Sequence, residues 1–225
     1  MGIKFDKINP DKFTMICPMQ IVDANEAGSV YFVKHKAQKE NNSETKENDS
    51  ETKHNESEKK THYALAIDVT GSSNRDYFIT THYNLYVISP TDYTTHVEAT
   101  YKKRKWDHYL LIEKLGKISI NDISKFYIPP HFAKNIEYRL INDVFNHLCE
   151  MNNGPTWSSI LNCQSFTRAS IEYLGYDFPS TVEVTNDCIP TMVDLYIKAS
   201  LMAAKTKKKK NLKFIHVKHS YLHLV

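Results

Sequence analysis

An α+β fold follows from three observations. Short runs rich in Val, Ile, Tyr and Thr, punctuated by turn residues, crowd the first half of the chain. Apolar residues at helical spacing dominate the second half. The two kinds of segment are segregated, strands first and helices after, which is the α+β order. With 225 residues, 41% hydrophobic and 12% aromatic, the chain has material for one domain with a real core.

The first strand is read at Ser29-Val30-Tyr31-Phe32-Val33 and the second at Tyr63 to Val69. Between them, residues 38 to 61 carry no aromatic or aliphatic side chain, and Ser43-Glu44-Thr45-Lys46 recurs as Ser50-Glu51-Thr52-Lys53. Such a segment has nothing to bury, so it is expected to be a disordered insertion in the connection between two paired strands. Further strands are expected at Tyr77 to Thr81, Leu85 to Ile88 and His96 to Tyr101, bounded by Gly71-Ser72-Ser73-Asn74 and Ser89-Pro90-Thr91-Asp92 turns.

After residue 110 the pattern turns helical. A Leu115-Gly116 turn is expected, then a short helix opening at Ser119, with Asp122 three residues on as in a capping box, and closing before Pro129-Pro130. Phe132, Ile136, Leu140, Val144, Phe145, Leu148 and Met151 then recur every three or four residues, predicting one long helix stopped by Asn153-Gly154-Pro155. A short helix from Cys163 to Gly175 follows, and a last one from near Pro190 to Lys205. The chain is thus read as a single domain over 1–205 and a basic tail over 206–225.

Composition narrows the function. Twenty-nine basic against 26 acidic residues leave a net charge of +3, which does not point to specific nucleic-acid binding. Lys207 to Lys210 form a run that is at most a weak contact for anionic membrane, at roughly 1 kcal/mol per lysine. The first residues show no signal-peptide core, and the stretch from Ile189 to Ala204 is short and interrupted by Asp194 and Lys198. A cytoplasmic, reduced protein with free thiols is the expectation. Cys17, Cys149, Cys163 and Cys188 lack paired-cysteine metal spacing. His216, His219 and His223 sit in a strand-like stretch that separates them, so no metal or cofactor is expected.

One motif carries chemistry. In Leu161-Asn162-Cys163-Gln164-Ser165-Phe166-Thr167 a cysteine directly follows a helix-capping asparagine. Helix N-termini present unpaired N–H groups and a partial positive charge, which favour thiolate and can hold an oxyanion. Such a nucleophile needs a base on a rigid mount. Of eleven histidines, His62 in Thr61-His62-Tyr63-Ala64-Leu65-Ala66-Ile67 stands at the start of a core strand. Cys17, Cys149 and Cys188 are read as structural or incidental.

The sequence His62-Tyr63-Ala64-Leu65-Ala66-Ile67, followed by Asn162-Cys163-Gln164-Ser165-Phe166-Thr167, then Leu174-Gly175 and Pro179, resembles the circularly permuted papain-like proteins. Among them it is most similar to the PPPDE peptidases, with the LRAT-like acyltransferases and NlpC-type peptidases sharing the His-before-Cys order. The resemblance covers residues 60 to 180. It implies a small antiparallel sheet packed against helices, Cys163 as nucleophile, His62 as base, and Asn162 and Gln164 as supporting residues. His96 would be a second, orienting histidine, as in the LRAT-like branch. The implied activity is a thiol isopeptidase or protease acting on a ubiquitin-like conjugate. The alternatives are an acyltransferase or phospholipase acting on an acyl lipid with the same dyad, or an inactive binding module. Trp157, close before the cysteine, is expected to narrow the cleft.

Overall fold

The computed structural model describes residues 16–35, 61–89, 91–118, 129–185, 188 and 190. Five antiparallel strands form one sheet: β1 (Ser29–His35), β2 (Tyr63–Asp68), β3 (Tyr77–Val87), β4 (Thr95–Lys105) and β5 (Tyr109–Lys117). Their spatial order is β4-β3-β2-β1-β5, so β5 returns to the far edge beside β1. After the sheet come α1 (Pro129–Arg139), a wider π-type turn over Leu140–Phe145, α2 (Asn146–Met151) and α3 (Cys163–Tyr173). The α+β order holds. Residues 38–61, the helix expected from Ser119, the helix expected from Pro190, the Lys207–Lys210 run and the three C-terminal histidines lie outside the described residues, apart from Thr61, Ile118 and Pro190 at their borders.

β1 and β2 pair in register from Ser29↔Asp68 to Lys34↔Tyr63. Residues 36–62 therefore connect two neighbouring strands, as the composition of the insertion implied. The strands expected at 77–81 and 85–88 are one. Asn84 is the single turn-forming residue in Thr81-His82-Tyr83-Asn84, and all eleven residues of β3 pair with β4, which carries the strand through it. The helical reading after residue 110 is corrected as well: Tyr109 to Lys117 is a strand paired with β1. Gly116 sits inside it rather than in a turn. A Cβ there would stand 2.4 Å from Cε1 of Tyr176, so the missing side chain admits that ring against the strand. Gly71 carries the other demanding turn. Its φ is +69°, and a Cβ would come within 2.2 Å of the Asp23 carbonyl. Asp68 closes the same turn by accepting from the amides of Ser72 and Ser73.

Strand alternation divides the core. Tyr63, Leu65, Ile67, Tyr83, Leu85, Val97 and Ala99 share the helix-side cluster with Phe132, Ile136, Leu140, Leu161, Phe166 and Ile171. Ala64, Ala66, Tyr31, Val33, Phe78 and Tyr109 form a smaller cluster on the other face. Polar bonds fix the helices to the sheet. Glu137 of α1 is buried and accepts from the Ala99 amide of the edge strand β4 at 2.8 Å. Tyr83 donates to the Ala133 carbonyl at 3.1 Å. The expected long helix runs without a break from Pro129 to Met151, widening to π-type hydrogen bonding over Leu140–Phe145, and its apolar positions Leu140, Val144 and Leu148 are buried as the spacing requires.

Candidate active site

α3 begins where the sequence places it. Asn162 is extended (φ −144°, ψ 177°) and fully buried, and its Oδ1 accepts from the amides of Gln164 at 3.0 Å and Ser165 at 2.9 Å. Ser165 Oγ accepts from the Asn162 amide at 3.0 Å, completing a capping box. The other half of the Asn162 amide donates to the carbonyls of Ser158 and Ser159. The cap therefore locks both the helix start and the loop that delivers it.

Cys163 is fully buried. Its Sγ stands 4.0 Å from the Thr61 carbonyl and 3.8 Å from Sγ of Cys188. The helix N-terminus is thus seated against the residue immediately before His62. Gln164 reinforces that seat: Nε2 donates to the same Thr61 carbonyl at 3.2 Å, while Oε1 accepts from Thr185 N at 2.8 Å and Thr185 Oγ1 at 3.3 Å. Gln164 binds the strand start to a stretch of chain that returns over the helix after Pro179.

That returning stretch covers the thiol. Tyr63 donates to the Glu183 carbonyl at 2.7 Å, and Trp157 Nε1 donates to the Cys188 carbonyl at 2.7 Å. Trp157 is itself fixed by its backbone N–H, which donates to the Tyr93 carbonyl at 3.0 Å. Trp157 thus holds the Cys188 backbone beside Cys163. Cys188, read from sequence as structural or incidental, packs its sulfur against Cys163.

His62 stands one residue before β2, and its carbonyl still accepts from the His35 amide at 2.9 Å. Its ring is buried. Nε2 lies 3.0 Å from Asn84 Oδ1, the ring stacks parallel to Tyr86 at 6.3 Å, and it meets His35 edge-on at 4.9 Å. Asn84 Nδ2 donates to Thr100 Oγ1, which points Oδ1 at the imidazole. His62 Nε2 then carries the proton and Nδ1 the lone pair. The structure thus brings Thr61 under the Cys163 thiol, while the His62 ring is directed to Asn84, His35 and Tyr86.

His96 is not part of this set. It stands exposed on β4, opposite Tyr86, and the group on His62 Nε2 is Asn84. Sequence reasoning missed Asn84, although Thr80, His82 and Asn84 alternate as polar residues on one face of a strand that is otherwise aliphatic or aromatic apart from Thr81. That is the signal that would have found it.

The surroundings of His62 are kept neutral. Burial holds both His35 and His82 well below the usual imidazole range, and Lys102 nearby adds to the effect. Tyr109, stacked on His82 at 5.7 Å, is pushed up to about 12 by burial. Cys17 is likewise pushed up to about 12, which makes it an inert core thiol. Among the described residues, no group of three or more His, Cys, Asp or Glu side chains could hold a metal, and no helix is long and apolar enough to cross a membrane.

Neither a protein-family model, nor a curated protein, nor a solved structure matches the chain. The reading of the site therefore rests on its own residues.

Proposed function

We propose that the chain is a cysteine hydrolase of permuted papain-like type, a thiol isopeptidase or protease acting on ubiquitin-like conjugates. Cys163 is its nucleophile, His62 its base and Asn84 the residue that orients the base. The observation that supports this reading most is the seating of an Asn162-capped helix N-terminus against Thr61. The Cys163 thiol there stands 4.0 Å from the carbonyl of the residue before His62, a buried histidine whose Nε2 lies 3.0 Å from Asn84 Oδ1. In the reaction, Nδ1 of His62 approaches Sγ to within ~3 Å and takes the thiol proton. The thiolate attacks the substrate carbonyl, and the Cys163 amide holds the oxyanion. The amine leaves with the proton from His62, and water activated by the same imidazole cleaves the thioester. Cys188 has to leave the face of Cys163 before a carbonyl can reach it.

Electrophilic probes test this. A ubiquitin-like protein ending in a vinyl sulfone is expected to label Cys163 in the wild type and not in His62→Ala. Labelling instead by a lipid ester phosphonate or fluorophosphonate analogue would move the proposal to the acyl-lipid alternative.

A second reading is favoured by one observation. Cys163 is fully buried beneath Cys188 and Trp157. A non-catalytic binding module on this scaffold would keep its thiol closed in this way. Failure of every probe on wild type and on Cys188→Ala alike would establish it.

A further inference from the structure

Two thiols in contact are an uncommon use of cysteine in a chain with only four. Cys163 and Cys188 are 25 residues apart, both reduced, and their sulfurs stand 3.8 Å from each other. A disulfide needs the sulfurs at ~2.05 Å, a closing movement of less than about 2 Å. The surrounding bonds hold the pair in this position rather than merely permitting it. Trp157 Nε1 grips the backbone of Cys188 itself, and Gln164, the residue after Cys163, accepts from the amide and hydroxyl of Thr185. The other two cysteines differ in setting. Cys17 belongs to the helix-side core and Cys149 packs against it from α2.

We propose that Cys163 and Cys188 form a reversible disulfide, which locks the stretch carrying Thr185 and Cys188 over the N-terminus of α3. Cys188 is 6% exposed and Cys163 0%, so Cys188 is the thiol nearer the solvent. With a hydroperoxide as the oxidant, the Cys188 sulfur attacks one peroxide oxygen. The O–O bond breaks, giving a sulfenic acid and, with hydrogen peroxide, one water. The Cys163 thiolate, favoured by the helix N-terminus, then attacks the Cys188 sulfur. The S–O bond breaks, the S–S bond forms, and hydroxide leaves with the proton that Cys163 gave up, as a second water. Two thiols supply the two electrons that reduce one peroxide. A small dithiol reverses the reaction by exchange. That the bond silences the site rests on the reading of Cys163 as nucleophile; the bond itself does not.

The test exposes the full-length protein to graded hydrogen peroxide, blocks remaining thiols, and maps the digest by mass spectrometry with and without dithiothreitol. The expected result is a linked Cys163–Cys188 peptide pair that dithiothreitol abolishes. In Cys163→Ala, dimedone should trap a sulfenic acid at Cys188. Circular dichroism confirms that the variants are folded. Peroxide that leaves both thiols free, drives either to sulfinic acid without a linked peptide, or links Cys188 to Cys17 or Cys149 overturns the proposal. Because the readout is the bond and not turnover, a linked pair in a protein that no electrophilic probe labels keeps this inference while removing the hydrolase reading.

Discussion

His62 Nε2 and Asn84 Oδ1 stand 3.0 Å apart, and Thr100 receives the other end of the Asn84 amide. The pair fixes one tautomer, with the imidazole lone pair on Nδ1. Asn84→Ala removes the acceptor and is expected to redistribute the tautomers, read from the two ring-nitrogen shifts of His62 by 15N NMR. Labelling of Cys163 should fall less than in His62→Ala, where loss of a general base costs roughly 10²- to 10⁴-fold. An unchanged tautomer in Asn84→Ala would remove Asn84 from the proposed mechanism.

Asn162→Ala deletes a helix cap and two donors at once. The cap alone is worth about 1 kcal/mol, and the carbonyls of Ser158 and Ser159 lose their partner as well. A loss of about 2 kcal/mol in urea-denaturation stability is expected. Asn162→Asp keeps the acceptor for the Gln164 and Ser165 amides and should recover the cap's share, but not the donors'. Equal losses in the two variants would contradict this division of roles.

Gly116→Ala places a Cβ 2.4 Å from the Tyr176 ring. Overpacking of this kind costs about 1–3 kcal/mol. Tyr176→Ala should relieve most of it, so the double variant is less destabilised than the sum of the singles, as a double-mutant cycle would measure.

Buried neutral histidines make stability depend on pH. His35 and His82 titrate well below the ordinary value of 6.5 when folded, whereas in the unfolded chain they take up protons near it. The unfolded state therefore binds more protons below pH 6.5, and stability falls as the pH drops through that value. Each histidine contributes a slope of up to about 1.4 kcal/mol per pH unit. The urea midpoint should be flat between about pH 7 and 8, decline below 6.5, and fall again at alkaline pH as Cys17 and Tyr109, held at about 12 when folded, ionise in the unfolded chain; His82→Gln should reduce the acid slope. A midpoint insensitive to pH between 7.5 and 5 would contradict the neutral, buried assignment.

Local chemistry was legible in the sequence wherever it was decided locally. Asn162 caps a helix because its side chain reaches two amides within three residues, so that reading survived. So did the pairing of the strands on either side of the polar insertion, since Val30 to Val33 and Tyr63 to Ile67 are apolar on both faces. The errors fall where distant chain decides. Tyr109-Leu110-Leu111-Ile112 can serve helix or strand, and it becomes a strand because β1 offers an open edge. Gly116 resembled a turn residue because Tyr176, sixty positions later, could not be foreseen beside it. Cys188 carried no local signal at all. Its role comes from Trp157 and Cys163, which only the returning chain brings to it.

The central claim is that Cys163 is a thiol activated by His62. Its most direct test is the rate of Cys163 alkylation by iodoacetamide against pH, followed by mass spectrometry in Cys188→Ala, which removes the sulfur packed on the thiol, with and without His62→Ala. The account predicts an apparent pKa well below the free-thiol value of ~8.5, with labelling much faster than at Cys149, and loss of both features in His62→Ala. Labelling no faster than at Cys149, and indifferent to His62, would contradict it.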